Sequence, residues 1–317
     1  MDIFSYSRIS TYFNCPKQYK FRYVDKIPSP VPEGIELFLG SRFHEAMEYL
    51  YQEIPREVLS LEKLKKYFQM LWEEKWNECV KKQKEKNFQS PIRIVRKNET
   101  MQDFFQKGQL FLENYYKKYY PFNQDYTEGL ELKVLFDLDP EGQYKMQGYI
   151  DRLARDNQGI LWIHDYKTNS RKLSKDDVNF DDQLALYQVG VNQSAKYQSF
   201  SGVKLMWHFV AFSNNESLVS ECTQEKLVQL KRKYISKIQK IKADQVYPTQ
   251  VSRLCEWCEY LTLCPEGQKK IHEYSNISPP LSEMEKNAPS DHSLLKKSLD
   301  FQKDVSSYNT SEQLPLF

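Results

Sequence analysis

Long apolar runs are missing from this chain. The longest, residues 203–212, is interrupted by Lys204 and His208 and falls far short of the roughly 20 residues that a helix needs to cross a bilayer. No membrane association through a spanning helix is expected. The first ten residues are polar and aromatic and contain no apolar h-region, so a secretory signal is not expected and cytoplasmic residence is the default. Charge of one sign is also lacking: 45 basic residues face 43 acidic ones, a net charge of +2. Nucleic-acid binding through bulk charge is thereby excluded, and any such binding must come from local patches. The helicase phosphate-loop pattern GxxxxGK[ST] does not occur, so a motor would have to be a separate protein. Internal repeats are absent too. What is present suits a globular fold: 40% apolar residues, 28% charged residues and 22 tyrosines, enough for a sizeable core. Six cysteines in a chain expected in a reducing compartment read as metal ligands or free thiols, not disulfides.

The chain changes character along its length. Residues 1–26 are aromatic and basic, and Tyr12, Tyr19 and Tyr23 have helical spacing. In GSRFHEAMEYLY, Phe43, Ala46, Met47 and Leu50 mark one face of a helix. Residues 55–120 read as a Lys-rich helical insert, with helices over 61–86 and 101–120 separated by PIRIVRK. Residues 131–138, 144–154 and 159–168 are rich in Val, Ile, Leu, Tyr and Trp and read as successive antiparallel strands. Helices follow at 181–193 and 223–243, with a buried strand at 203–212 between them. The expected organisation is a domain over 1–274, including the insert, and a disordered Ser/Pro/Asn/Lys-rich tail over 275–317.

The chemistry concentrates in the central hairpin. Asp151 and Asp165 are equidistant from Gln158, within the turn DNQG. A hairpin centred there sets the two carboxylates opposite each other, with Cβ atoms roughly 4.5–5.5 Å apart. Two acids so placed repel unless a cation lies between them, and Mg²⁺ commonly uses one or two protein carboxylates. Asp165 and Lys167 are two apart and share a face, which sets an ammonium beside the acids. On spacing alone, a surface hairpin with an ordinary Asp–Lys ion pair is an equal alternative.

GYIDR (Gly148–Arg152) followed by IHDYKT (Ile163–Thr168) resembles the second and third motifs of the PD-(D/E)XK nucleases, most of all the RecB/AddB-like branch. An upstream motif of that branch, with a metal-binding histidine on a helix, matches GSRFHEAME (Gly40–Glu48) through His44, and a glutamine–tyrosine motif matches DQLALYQ through Gln183 and Tyr187. The resemblance spans roughly residues 5–268. It implies an α/β, restriction-endonuclease-like fold: a mixed central sheet flanked by helices. It implies that His44, Asp151, Asp165 and the Tyr166 carbonyl bind Mg²⁺ or Mn²⁺, that Lys167 positions the attacking water, and that Gln183 and Tyr187 touch DNA or support Lys167. Asp165 stands where many relatives have Glu. Glu131, on the preceding strand, is a candidate outer partner of this site.

Cys255, Cys258 and Cys264 form a dense cluster, and Cys15 is the distant fourth candidate, 240 positions from Cys255. Four thiolates suit either tetrahedral Zn²⁺ or a [4Fe–4S] cluster. The resemblance favours iron–sulfur, because the AddB type divides its cysteines in this way around the nuclease core. The group would staple the N- and C-terminal regions, a stabilisation on the order of 5 kcal/mol if loop-closure entropy transfers from disulfides. Basic stretches at Lys81–Lys86 and Arg93–Lys97, with Tyr12 and Tyr19, are candidates to line a DNA channel. The final residues Gln313, Leu314, Pro315, Leu316 and Phe317 resemble the bacterial sliding-clamp-binding peptide, Leu316 and Phe317 being the groove anchors. The expectation is therefore a metal-dependent DNA exonuclease acting on single strands or ends in repair, recombination or replication, with the clamp and a helicase as implied partners. The competing expectation is a non-catalytic or subunit-type DNA-binding module of a helicase–nuclease complex, tethered to the clamp.

Overall fold

A computed structural model describes residues 2–96, 98–169, 181–213 and 217–277. Met1–Lys269 forms one compact unit, and Lys270–Phe317 a second, of which the described part is the end of a helix. The expected tail begins at 275, but residues 275–277 still belong to the helix that starts at Pro265; the rest of the tail and the terminal peptide Gln313–Phe317 lie outside the described residues.

The first unit is built on one mixed sheet. Its strands are β1 (Ile3–Ser5), β2 (Tyr126–Asp137), β3 (Lys145–Arg155), β4 (Ile160–Lys167), β5 (Gly202–Phe209) and β6 (Ser217–Ser220). β2 and β4 pair with β3 antiparallel, β5 pairs with β4 parallel, and β6 closes the edge antiparallel to β5. The helices are α1 (Tyr6–Asn14), α2 (Ile35–Glu53), α3 (Leu61–Lys86), α4 (Met101–Tyr119), α5 (Asp182–Gln193), α6 (Gln224–Ala243) and α7 (Pro265–Ile277). This is the α/β arrangement that the family resemblance implies, a mixed sheet flanked by helices. The α5 crossover makes β4 and β5 parallel, since a helix returns the chain to the same end of the sheet.

Local chemistry sets the helix ends. Ser60, Thr223 and Asp181 each accept a hydrogen bond from a backbone N–H of the helix that follows, and Thr100 with Asp103 forms a reciprocal capping box at α4. The insert is a true helical pair: α3 and α4 pack their buried Phe68, Trp72, Phe104 and Phe111 with Phe38 and Phe43 of α2 into one core. A second core lies across the sheet, where Phe136, Met146, Ile150 and Ile163 meet α1, α5 and α6. Tyr12 and Tyr19 belong to that core, 4% and 2% exposed. They are packing residues, and the expectation that they line a DNA channel is corrected accordingly. Arg93 is likewise committed within the protein, donating to the carbonyls of Trp257 and Cys258 at 2.6 and 3.0 Å.

β1, like β6, is a strand that no sequence pattern announces. It runs parallel to β3 and pairs with Lys145–Gln147, whereas β4 pairs with β3 over Arg152–Arg155. Both lie against β3, and neither ladder includes Gly148–Asp151. The candidate site grows from that gap.

Candidate metal and phosphodiester site

The β3–β4 register is the one predicted: Arg152 opposes His164, Leu153 opposes Ile163, and the hairpin centres on Gln158. One feature differs. The ladder stops at Arg152–His164, so Asp151 and Asp165 fall just beyond it, where the strands part. The Asp151 side chain takes over the backbone's role there: its Oδ2 accepts the Tyr166 N–H at 2.8 Å.

β2 is irregular close by: its register against β3 shifts between Thr127 and Gly129. Leu130 and Leu132 pair with Arg152 and Ile150, placing Glu131 opposite Asp151. Glu131 has φ +42°, a left-handed conformation uncommon for a residue with a Cβ. Both strands change faces here. Leu132 and Ile150 pack on the α5 side, whereas Leu130 packs with the α2 core and Arg152 lies 4.0 Å over the Tyr51 ring of α2. The double switch turns Glu131 and Asp151 toward His44 on α2. His44 Nδ1 stands 3.5 Å from Asp151 Oδ1 and 3.8 Å from Glu131 Oε1, and one ligand atom from each of the three lies within 4.8 Å of the others.

The other ring nitrogen of His44 fixes its role. Nε2 donates to the Tyr166 carbonyl at 3.0 Å, so in the neutral ring the Nδ1 lone pair faces the two carboxylates. Burial alone would depress the imidazole's pKa, but Asp151, Glu131 and Asp165 outweigh it and hold the value well above the ordinary range. Those carboxylates favour the charged form of the ring, and a metal ion bound there would take the place of its Nδ1 proton. A mixed set of one imidazole and two carboxylates fits a divalent cation.

Asp165 stands beside this trio and is buried, only 5% exposed. Its Oδ2 lies 2.8 Å from Lys167 Nζ. Burial pushes the Asp165 carboxyl up, opposed by Lys167 and reinforced by Asp151. Burial would lower Lys167, but Asp165 outweighs it and keeps the ammonium charged. Lys167 Nζ also donates to Gln183 Oε1 at 3.1 Å, and Gln183 Nε2 donates to the Tyr187 hydroxyl at 3.2 Å. Gln183 and Tyr187 are therefore placed against Lys167. Gly148 permits this: a Cβ there would lie 2.1 Å from the Tyr187 ring, so only glycine lets α5 approach β3 this closely.

Behind the acids runs a buried polar chain. Arg152 holds Asp125 through both guanidinium nitrogens at 2.6 and 3.2 Å and donates to His164 Nε2 at 3.0 Å. His164 Nδ1 lies 2.8 Å from His208 Nε2, and His208 Nδ1 lies 3.0 Å from the Tyr119 hydroxyl. Burial first, and then Arg152, pushes His164 down to about 4; burial and His164 lower His208 well below its usual value. This neutral histidine pair was not singled out from the sequence, although Arg152 and His164 directly adjoin the two aspartates.

Cys15, Cys255, Cys258 and Cys264 line one cavity of about 240 Å³. Among the described residues, no three of their sulfurs come within 4.8 Å of one another. Tetrahedral zinc, with Zn–S near 2.3 Å, would draw all four closer than that. Burial raises Cys258 to about 11 and raises Cys264 as well, so both are thiols unless a metal displaces the proton.

No helix among the described residues is long and apolar enough to cross a membrane. The family model for the PD-(D/E)XK nuclease superfamily matches residues 3–265. Among solved structures, the crystal structure of SSO0001 is similar over 84% of this chain and 87% of that one, at 11% identity and a TM-score of 0.32. No curated protein matches the chain.

Proposed function

The chain belongs to the PD-(D/E)XK nuclease superfamily, and on that premise we propose that it is a Mg²⁺- or Mn²⁺-dependent DNA exonuclease of the RecB/AddB-like branch, cytoplasmic, acting on single strands or DNA ends. The observation that carries the reading is the junction of the His44–Glu131–Asp151 trio with the Asp165–Lys167 pair. The sequence motifs alone suggested His44, Asp151, Asp165 and the Tyr166 carbonyl as ligands. The geometry favours adding Glu131 and assigning the Tyr166 carbonyl to orienting His44.

A bound divalent ion would acidify a water and neutralise charge on the scissile phosphate. His44, Glu131 and Asp151 would hold that ion, and Asp165 would lend a further carboxylate beside them. Lys167 remains protonated beside Asp165 and directs its ammonium at the attacking water or the phosphate oxygens. Gln183, backed by Tyr187, keeps the Lys167 side chain extended into the site. Gly148 makes room for that brace.

The four cysteines are proposed to hold a [4Fe–4S] cluster joining the N-terminal segment to residues 255–264, supported by the one cavity that all four line. The terminal Gln313–Phe317 peptide is proposed to dock on a sliding clamp, and a helicase is proposed to supply unwound DNA. Domain limits of 1–274 for the nuclease and 275–317 for the tail complete the reading.

The test is nucleotide release from end-labelled DNA in Mg²⁺ or Mn²⁺, compared with EDTA. Asp165→Asn and Lys167→Ala should each lower the rate at least about 100-fold. Undiminished hydrolysis in either variant would remove the site assignment.

A further inference from the structure

The sheet surface beside the trio continues past it. Glu131 and Asp151 meet His44 on the α2 side of the sheet. Lys133 and Leu135 of β2, and Tyr149 and Gln147 of β3, occupy that same side, because their alternates Val134, Phe136, Met146 and Ile150 are packed in the core under α5. Lys133 is paired directly with Tyr149, and Leu135 with Gln147, so Leu135 is the diagonal neighbour of the tyrosine ring. Helix α2 does not cover them: Tyr149 is 50% exposed and Leu135 55%, and Lys133 is exposed.

Position gives this patch its meaning. Tyr149 lies two residues before Asp151, about 7 Å along the strand, within the stretch of β3 where neither the β1 nor the β4 ladder reaches. Its ring makes no aromatic pair among the described residues, unlike most of the tyrosines that pack the two cores. Lys133 has no ion-pair partner among the described residues, whereas the next charged pair along the surface, Lys145 and Asp137, is mutually neutralised at 2.6 Å. The surface thus presents an aromatic face, an aliphatic neighbour and a positive charge without an ion-pair partner among the described residues, two residues along β3 from Asp151 and the ion that would meet the scissile phosphate.

We propose that Tyr149, backed by Leu135, is a stacking platform for an unpaired base of single-stranded DNA next to the scissile phosphate, and that Lys133 contacts the adjoining backbone phosphate. The inference rests on the nuclease reading and adds the state of the strand. A base within a duplex has both faces covered by its neighbours; an unpaired base can offer one to the Tyr149 ring, and stacking tolerates any base.

The experiment measures binding of labelled oligothymidylate to the full chain by fluorescence anisotropy, with Ca²⁺ in place of Mg²⁺, beside a blunt duplex of the same length. Tyr149→Ala should weaken single-strand binding roughly tenfold and leave duplex binding unchanged. Tyr149→Trp should restore the affinity, and Lys133→Gln should flatten the salt dependence by roughly 0.7 of a log–log unit. Because Tyr149 is half exposed, unchanged thermal melting of the variants checks their folding. Single-strand affinity indifferent to Tyr149→Ala, or an equal loss on the duplex, overturns the platform. The nuclease reading is judged apart from this, by hydrolysis in Mg²⁺. A wild-type chain that binds through Tyr149 but releases no nucleotide loses the nuclease reading and keeps the platform. If the Tyr149→Ala variant digests single-stranded DNA as well as the wild-type chain does, the platform alone is lost.

Discussion

Replacing Glu131 by glycine should stabilise the ion-free protein and weaken its response to a divalent ion. Glu131 has φ +42°, which for a residue with a Cβ costs about 1–2 kcal/mol. Glycine adopts that conformation freely but surrenders about 0.5–1 kcal/mol of chain entropy on folding. The exchange also removes a carboxylate opposite Asp151, and it relieves Glu48, whose carboxyl is raised by burial and then by Glu131 and Glu45. Against this, His44 loses a partner at 3.8 Å. The balance is a gain of roughly 0.5–1 kcal/mol in EDTA. With Mn²⁺ at about 100 times its dissociation constant, the wild-type chain gains about 2.7 kcal/mol; a tenfold loss of affinity reduces the gain at the same concentration to about 1.4 kcal/mol. Urea unfolding followed by tryptophan fluorescence, with and without Mn²⁺, reads both numbers. Glu131→Gln separates them, because it keeps the backbone strain and removes the charge: its EDTA stability should stay near wild type while its Mn²⁺ increment falls. A glycine variant that is less stable in EDTA would refute the strain argument, and a Mn²⁺ increment the same in all three proteins would refute the assignment of Glu131 to the ion.

Three further outcomes are expected. Gly148→Ala drives a methyl to 2.1 Å from the Tyr187 ring, so it should cost about 1–3 kcal/mol in thermal or urea unfolding and slow hydrolysis by loosening the Gln183–Lys167 brace; unaltered stability would show that the ring yields without cost. His164 and His208 are buried neutral, with folded pKa values below the ordinary 6.5, about 4 for His164. The unfolded chain therefore takes up protons that the native chain refuses, and stability should fall as pH drops from about 6.5 toward 4, by up to roughly 1.4 kcal/mol per pH unit for each histidine; a flat stability profile over that window is the contrary result. Arg93→Ala removes two donors from the carbonyls of Trp257 and Cys258, at about 0.5–1.5 kcal/mol each, and should speed hydrogen exchange over residues 253–264 more than over the sheet.

How much of this was legible in the residues depends on the length of the pattern carrying it. The hairpin centred on Gln158 could be read because its turn chemistry and flanking apolar residues agree, and its register then follows by arithmetic. The shared face of Asp165 and Lys167 follows from strand periodicity. β1 and β6, three and four residues long, are too short to show a period. β2 begins at Tyr126, earlier than expected, because Glu128 and Gly129 resemble a loop. The left-handed turn at Glu131 has no signature, since neither glycine nor asparagine marks it; tertiary contacts impose it. Tyr12 and Tyr19 misled for a related reason: helical aromatic spacing identifies a face, and only the fold tells whether that face meets solvent or the core.

The parting of the strands explains why the acids can coexist at all. In an unbroken ladder, Asp151 would be hemmed between Glu131 on one side and Asp165 on the other, with its side chain normal to the sheet and no room for an ion. Here β4 leaves β3 after Arg152–His164, β1 supports only the beginning of β3, and β2 reverses its faces at Glu131. The backbone hydrogen bonding lost at the gap is partly recovered by the acids themselves, through Asp151 and the Tyr166 N–H, and the Tyr166 carbonyl is taken up by His44. Directly behind, the Asp125–Arg152–His164–His208 chain ties β3, β4 and β5 together where the ladder ends. Breaking that chain by Arg152→Leu leaves Asp125 without its bidentate partner and His164 without a donor, and a buried charge stripped of its partner costs about 3–5 kcal/mol. The loss should appear as global unfolding in urea at a lower midpoint, and Asp125→Asn on the same background should recover part of it, because the stranded charge is then gone. A double variant no more stable than Arg152→Leu would mean that the stranded Asp125 charge is not what the variant costs, and that the loss lies in the ties between β3, β4 and β5 or in apolar packing.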